Sequence, residues 1–321
     1  MAFVGERDLT APGPRVEILT AGVDWAALRL MRLLILGLCV CLAVCASGAE
    51  VSSNELEKIR AERVQRLTAP DGWLTLIGLH WLNLGENTVG TAPDNTLRLA
   101  AGPAHFGRVT LAPNGRVTVQ LADEAAATIQ GQATRTGELS YGTAQPTLVV
   151  AGTVSFFVIQ RGDKIGLRVK DSAAVRRRDF VGLDYFPCDA SWRIEAQWVP
   201  FAEPRPVPIT NMLGQTTPAP VPGKAVFTRE GRTYELLPID EGPAEPLFFV
   251  IADATSGDET YAAARFLYAE RPRDGKIVLD FNRAENPPCA FTPFATCPLP
   301  PSENRFPVRI AAGEKNYRGA H

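Results

Sequence analysis

The sequence predicts an all-β protein, made of sandwich-like or barrel-like sheets, with one helix near the N-terminus. Short segments rich in Val, Ile, Leu, Phe and Thr follow one another from residue 97 onward, with turn residues between them. Asn114-Gly115 separates two of these segments, as in a tight β-hairpin. Clear helical periodicity is confined to 52–67, where Ser52 and Glu55 have the spacing of a capping box.

The N-terminal region has the features of an export signal. Arg32 precedes an apolar run at 33–46, and Ser47-Gly48-Ala49 supplies the small residues of a cleavage site. The apolar run is shorter than the roughly 20 residues that a membrane span needs. We therefore expect a periplasmic or secreted protein with no membrane span after cleavage.

This interpretation divides the N-terminal region in two. Residues 1–30 are predicted to be an over-extended start, and 31–49 the signal peptide. Cys45 follows Leu42-Ala43-Val44, which resembles a lipoprotein box, so lipid attachment at Cys45 is the alternative.

The remaining chain is predicted to contain two β units. The first, a sandwich, covers 50–198, and the second covers 223–321. Proline recurs through 199–222, which we interpret as a connector.

Composition and missing motifs exclude several function classes. The formal net charge of −2 gives no electrostatic reason to bind nucleic acid. The sequence has no nucleophile elbow, zinc-protease helix, P-loop or dinucleotide-binding glycine pattern. No cysteine and histidine spacing is typical of zinc, so we expect neither a metal nor a cofactor.

A proline-rich stretch near the C-terminus is the most unusual part of the chain. Its prolines exclude a helix or a central strand over 286–301, while Phe291 and Phe294 favour an ordered loop. Cys289 and Cys297 lie inside it and are predicted to form a disulfide, with Cys188 free and buried. The alternatives are a bond from Cys188 to either partner, or three reduced thiols.

The candidate site lies beside this loop. Strand alternation places Asp280 and Asn282 on one face. The leading hypothesis is a binding protein for an unidentified small molecule or cell-envelope component, held by the polar side chains of Asn282, Arg283, Asn304 and Arg265. Arg168 and Lys170 end another predicted strand, where solvent exposure or structural pairing is the ordinary expectation.

Two other functions remain open. Asp280 and Glu314 are the candidate catalytic pair of a hydrolase, since two carboxyl groups carry the acid–base chemistry of glycosidases. A structural role in the cell envelope is the third hypothesis.

Four segments carry a resemblance to a known family. They are WLTLIGLHWLNLGENTVG, GLRVKDSAAVRRRDFVGLDYFPCDASWRIEAQW, TYAAARFLYAE and DFNRAENPPCAFTPFATCPLPPSENRFPVRIAAGEK. Over about 55–317 the chain resembles bacterial, often secreted proteins classed only as a domain of unknown function. The resemblance implies an ordered C-terminal loop that includes Cys289 and Cys297, and it implies no activity.

A second resemblance concerns 86–121, which is similar to a forkhead-associated β-sandwich module. Such modules bind phosphothreonine through an Arg after their first Gly and through a Ser-x-x-His element. Here Thr91 follows Gly90, and Ala104-His105 stands in place of the second element. The resemblance therefore implies the sandwich shape and not the activity.

Overall fold

The computed structural model describes residues 54–143 and 145–319, which belong to one compact unit spanning Ser53–His321. The predicted start, signal peptide, lipid attachment at Cys45 and cap at Ser52 lie outside the described residues. None of the helices that these residues form has the length and hydropathy that a bilayer crossing requires.

The all-β prediction is confirmed. The described residues form four sheets, preceded by a helix, α1, at 54–68. The strands are β1 Leu76–Trp81, β2 Gly85–Gly90, β3 Leu97–Arg98, β4 Gly107–Leu111, β5 Val117–Leu121, β6 Thr128–Ile129, β7 Thr136–Glu138, β8 Val149–Ala151, β9 Val154–Arg161, β10 Lys164–Asp171, β11 Arg193–Thr210, β12 Thr216–Arg229, β13 Arg232–Leu236, β14 Leu247–Ile251, β15 Arg265–Ala269 and β16 Lys276–Asp280. A short helix, α2, covers Val175–Arg178.

Two five-stranded sheets in the N-terminal part face each other. Their strand orders are β1-β10-β9-β8-β6 and β3-β2-β4-β5-β7. One core contains apolar side chains from both, including Val109 and Val119 of one sheet and Phe156 and Leu167 of the other. The hairpin at Asn114-Gly115 joins β4 to β5 as predicted, and Gly115 adopts φ +85 there.

The C-terminal part has a four-stranded sheet, β13-β12-β11-β16, and a separate pair, β14-β15. Phe227 of β12, Phe249 of β14 and Leu267 of β15 share a core with Phe281 and Phe306, which lie on either side of the proline-rich stretch. The stretch, 286–301, is a loop, as predicted; most of it is buried, and it contains one turn of 3-10 helix at Pro288–Ala290.

The predicted connector at 199–222 is wrong, because this segment forms the long ribbon of β11 and β12. Pro206 pairs with Pro220, and Pro208 with Pro218. In this part of the ribbon β11 and β12 pair only with each other, so each strand has one free edge. Prolines two residues apart point their nitrogens in the same direction, towards that free edge. The prolines therefore remove no hydrogen bond of the ladder.

Helix α1 buries a charge as well as apolar groups. Leu56 and Leu67 are buried, and Arg63 is only 7% exposed. It follows Leu56 by seven residues and precedes Leu67 by four, so all three share one face.

Candidate binding cleft

The floor of the cleft is the outer face of the first sheet. Leu167 and Val169 of β10 point into the sandwich core, so Arg168 and Lys170 between and after them point to the opposite face. Arg161 at the end of β9 lines the same cleft. Strand alternation thus gathers three basic side chains on one surface.

The cleft has an outer and an inner cavity. The outer one has a volume of about 1110 Å³ and also borders α1 and the loop at 142–148. The inner one has a volume of about 290 Å³ and extends under the proline-rich loop at 295–298. The residues that line both are Arg63, Trp73, Arg161, Arg168 and Glu285. These five form the junction of the two cavities.

Arg168 is the most unusual group at this junction. It is 6% exposed, and no carboxylate of the described residues lies within ion-pair distance. Its Nε is buried without a hydrogen-bond partner, and its guanidinium lies 5.1 Å from the ring centroid of Trp73. Burial, with a smaller contribution from Arg161, lowers the pKa of Arg168 to about 10. The fold therefore buries a cation that nothing in the described chain neutralises.

Arg161 and Lys170 extend this positive surface. Arg161 donates from Nε to Oγ1 of Thr296 at 2.8 Å, which ties the sheet to the loop. Lys170 donates from Nζ to the carbonyl of Asp71. Burial lowers the pKa of both basic groups; for Lys170 the nearby Asp71 opposes this shift and Arg168 adds a smaller lowering. Neither has an ion-pair partner among the described residues.

Arg63, by contrast, is fully paired. Its Nε lies 3.0 Å from Oε1 of Glu314 and 3.3 Å from Oε2 of Glu285. Its Nη2 donates to the carbonyl of Asn286 at 2.7 Å, and Oε2 of Glu314 accepts from the backbone N–H of Asn286 at 2.8 Å. Burial alone would lower the pKa of Arg63, but the two glutamates raise it. This cluster joins α1 to the loop and leaves no charge for a ligand.

Two predicted ligand-binding residues have structural roles instead. Asn304 is fully buried; its Oδ1 accepts from the N–H of Leu237, and its Nδ2 donates to the carbonyls of Leu237 and Val250. Arg265 is 1% exposed and forms a buried ion pair with Asp253. Both predictions are wrong because these side chains satisfy buried groups of the fold.

The predicted set around Asp280 does not share one strand face. The strand ends at Asp280, and 281–283 turns into a 3-10 helix, so the expected alternation stops there. Asn282 is buried and donates from Nδ2 to Oδ1 of Asp280 at 3.0 Å and to the carbonyl of Asp189 at 2.9 Å. Arg283 is exposed and lines another cavity with Asp280. Glu314 borders neither this cavity nor the cleft, so none of these three cavities brings the two proposed catalytic carboxyl groups together.

The cysteines differ from the prediction in two ways. Cys289 and Cys297 are adjacent, and the backbone N–H of Cys289 donates to Sγ of Cys297 at 3.2 Å, but both thiols are free. Cys188 is free as predicted but exposed rather than buried, because it lies in an irregular surface segment. Cys297 also lines the inner cavity.

The sequence does not predict the junction. Charged residues at strand ends are usually solvent-exposed or paired, and that is the expectation for Arg168 and Lys170. The available signal was their position within KIGLRVK, where Arg168 stands between Leu167 and Val169 of a strand buried on both faces. Trp73 and Arg161 carried no comparable signal.

These features define an all-β protein with a basic cleft between its first sheet and a proline-rich loop. Residues 178–315 match the family described as "Protein of unknown function (DUF1684)". Over these residues the chain is similar to that family, which supports the predicted domain of unknown function.

Two solved structures have some similarity to the chain. An uncharacterized protein from gene locus rrnAC0354 of Haloarcula marismortui is 30% identical, and the match covers 45% of this chain and 81% of that chain with a TM-score of 0.38. A structure of Rad53 1-466 in complex with AMP-PNP is 12% identical, and the match covers 68% of this chain and 51% of that chain with a TM-score of 0.17. At these TM-scores neither similarity bears on fold or function. No curated protein matches the chain.

Proposed function

We propose that this protein binds a small anionic ligand in the cleft, at the guanidinium of Arg168. The observation that carries the proposal is the burial of this cation without a carboxylate or a hydrogen-bond partner for its Nε. Leaving a charged group in this state costs folding free energy, and an anion removes the cost when it binds. The proposed ligand is still a small molecule, as expected from the sequence. It is held by Arg168, and not by the four side chains that the sequence suggested.

The surroundings of Arg168 support an anion in particular. Arg161 and Lys170 stand on the same sheet face, and neither forms an ion pair within 4.0 Å among the described residues, so three cations converge. Glu285, the acidic residue at the junction, is matched by Arg63 at 3.3 Å and Arg66 at 3.5 Å. A planar guanidinium presents paired donors that match carboxylate or phosphate oxygens. Either oxyanion suits this site.

Binding is better supported than hydrolysis by Asp280 and Glu314. Both oxygens of Glu314 are engaged, one by Arg63 and one by Asn286. Asp280 accepts hydrogen bonds from Asn282 and borders a different cavity. A general acid or base needs access to the reacting atoms, and Glu314 is 1% exposed.

Calorimetric titration with inorganic phosphate, sulfate, acetate and succinate tests the proposal, with ionic strength held constant by NaCl. At least one oxyanion should bind the unmodified protein, and Arg168→Gln should abolish the heat signal. Arg116→Gln is the matched control, because Arg116 is exposed and pairs with Glu138 at 2.9 Å, outside the cleft. Equal binding by both variants would refute a site at Arg168.

We also propose that the mature protein acts outside the cytoplasm. The support is the sequence of residues 31–49, with its basic start, apolar run and small-residue cleavage site. N-terminal sequencing of protein purified from its native cells should find Glu50 first. If the protein is lipidated, its first residue should instead be Cys45. An N-terminus within 1–30 would contradict export by this signal.

A further inference from the structure

The inner cavity differs in chemistry from the basic outer cavity. Trp73, Phe248, Phe266 and Tyr268 supply its aromatic walls, and Ala295 lies among them. Phe248 is central to the group: its ring meets Phe266 edge-on at a centroid distance of 4.8 Å and stacks on Tyr268 at 5.0 Å. Tyr268 is 41% exposed, so solvent reaches part of this aromatic surface. We call this space the aromatic chamber.

The chamber has room for a ring. Its volume is about 290 Å³, whereas an apolar cavity of about 150 Å³ accommodates benzene. A single substituted aromatic ring, or a branched apolar group of similar bulk, therefore fits with space for a linking atom. An inorganic oxyanion alone would leave most of the aromatic wall in contact with water.

The cations of the chamber lie at its junction with the outer cavity. Arg161 and Arg168 contribute the cations without carboxylate partners. Arg63 and Glu285 compensate each other, and Glu241, the other carboxylate in the lining, is exposed. A ligand that enters from the outer cavity therefore meets the guanidinium groups first and the aromatic walls beyond them.

We propose that the ligand is an amphipathic anion that carries an aromatic or similarly bulky apolar group. Its carboxylate or phosphate lies between Arg161 and Arg168, and its apolar group packs against Phe248, Phe266 and Tyr268. This inference rests on the proposed anion site, since the junction orients the ligand. It adds the class of ligand, which the cations alone do not determine.

Matched pairs of probes test the class. Phenyl phosphate is compared with inorganic phosphate, and phenylacetate with acetate, by calorimetric titration at constant ionic strength. Each aryl anion should bind at least about tenfold more tightly than its simple counterpart, because the ring leaves water for an apolar surface. Benzyl alcohol, which has the ring without the charge, should bind at least about tenfold more weakly than phenyl phosphate.

A variant of the chamber separates the two parts of the ligand. Tyr268→Ala removes a partly exposed ring, so the fold should tolerate it. It should reduce the preference for the aryl anions and leave the dissociation constant of inorganic phosphate unchanged. Phe201→Ala is the control, because Phe201 lies on the ribbon against Arg205 and borders neither cavity. It should preserve both affinities.

The outcomes distinguish failure of the class from failure of the site. If phenyl phosphate and inorganic phosphate bind equally, and Arg168→Gln abolishes both, the anion site stands and the apolar class is overturned. Benzyl alcohol binding as tightly as phenyl phosphate overturns the amphipathic anion. If no anion binds, or Arg168→Gln changes nothing, the proposed function itself fails.

Discussion

Replacing Arg168 by methionine should stabilise the empty protein while it removes ligand binding. Methionine keeps the apolar stem and approximate length of the side chain but carries no charge. Burial lowers the pKa of Arg168 from its ordinary value to about 10, a shift worth roughly 3 kcal/mol. This destabilisation of the folded state is fully present below about pH 10 and fades as pH rises above it, so at neutral pH the folded state bears all of it.

Part of this gain is offset by lost contacts. The guanidinium lies 5.1 Å from the Trp73 ring centroid, and such a cation–π contact contributes about 1 kcal/mol or more. The net expectation for Arg168→Met is therefore a free energy of unfolding about 1 to 2 kcal/mol higher. For a domain of this size that corresponds to a melting temperature about 2 to 6 °C higher.

Urea unfolding at pH 7.5 in a chloride buffer, followed by far-UV circular dichroism, measures the effect. The same series with saturating oxyanion should stabilise the unmodified protein by mass action and leave Arg168→Met unchanged. Arg116→Met controls for loss of an exposed arginine and should change stability by less than about 1 kcal/mol. If Arg168→Met destabilises the empty protein by more than about 1 kcal/mol, Arg168 is a structural group and the reasoning fails.

Three further predictions concern the parts that hold the cleft. Arg63→Met should lower the free energy of unfolding by about 3 to 5 kcal/mol, because it leaves Glu314 buried without a cation; urea titration beside Arg116→Met checks this. Asn304→Ala should lower the free energy of unfolding by about 2 to 4 kcal/mol, because three hydrogen bonds are lost, and should leave anion affinity unchanged. Urea unfolding measures the first effect and calorimetric titration the second. In a Cys188→Ser background, diamide should take two hydrogens from the adjacent Cys289 and Cys297 thiols to form the predicted disulfide; a non-reducing peptide map without that crosslink contradicts it.

The fold class could be predicted because its signals are local. Alternating apolar residues, the hairpin at Asn114-Gly115 and the prolines of 286–301 each act within a few residues. The ribbon of β11 and β12 could not be predicted, because its prolines normally argue against strands. Only the pairing of Pro206 with Pro220 and its neighbours, which is non-local, shows that their nitrogens face away from the ladder.

The site depends almost entirely on such non-local contacts. A polar residue within an apolar strand or helix face looks the same in the local sequence whether its side chain bonds to other protein groups or binds a ligand. Asn304 and Arg168 are both buried, but Asn304 finds its partners 54 and 67 residues away, whereas Arg168 finds none for its Nε. The distinction lies in the partners, and a single sequence does not contain them.

The proline-rich loop keeps the unpaired Arg168 away from solvent. A cation on a mobile surface would simply turn into water, but this part of the loop is fastened on several sides. Thr296 accepts from Arg161, Thr292 donates to the carbonyl of Leu76 at 3.1 Å, and Arg63 holds the carbonyl of Asn286. These contacts hold the loop over the inner cavity and keep Arg168 buried. On the proposed function, a ligand would then have little ordering entropy to overcome. The folding free energy lost in burying Arg168 without a partner would be recovered as binding free energy when an anion binds.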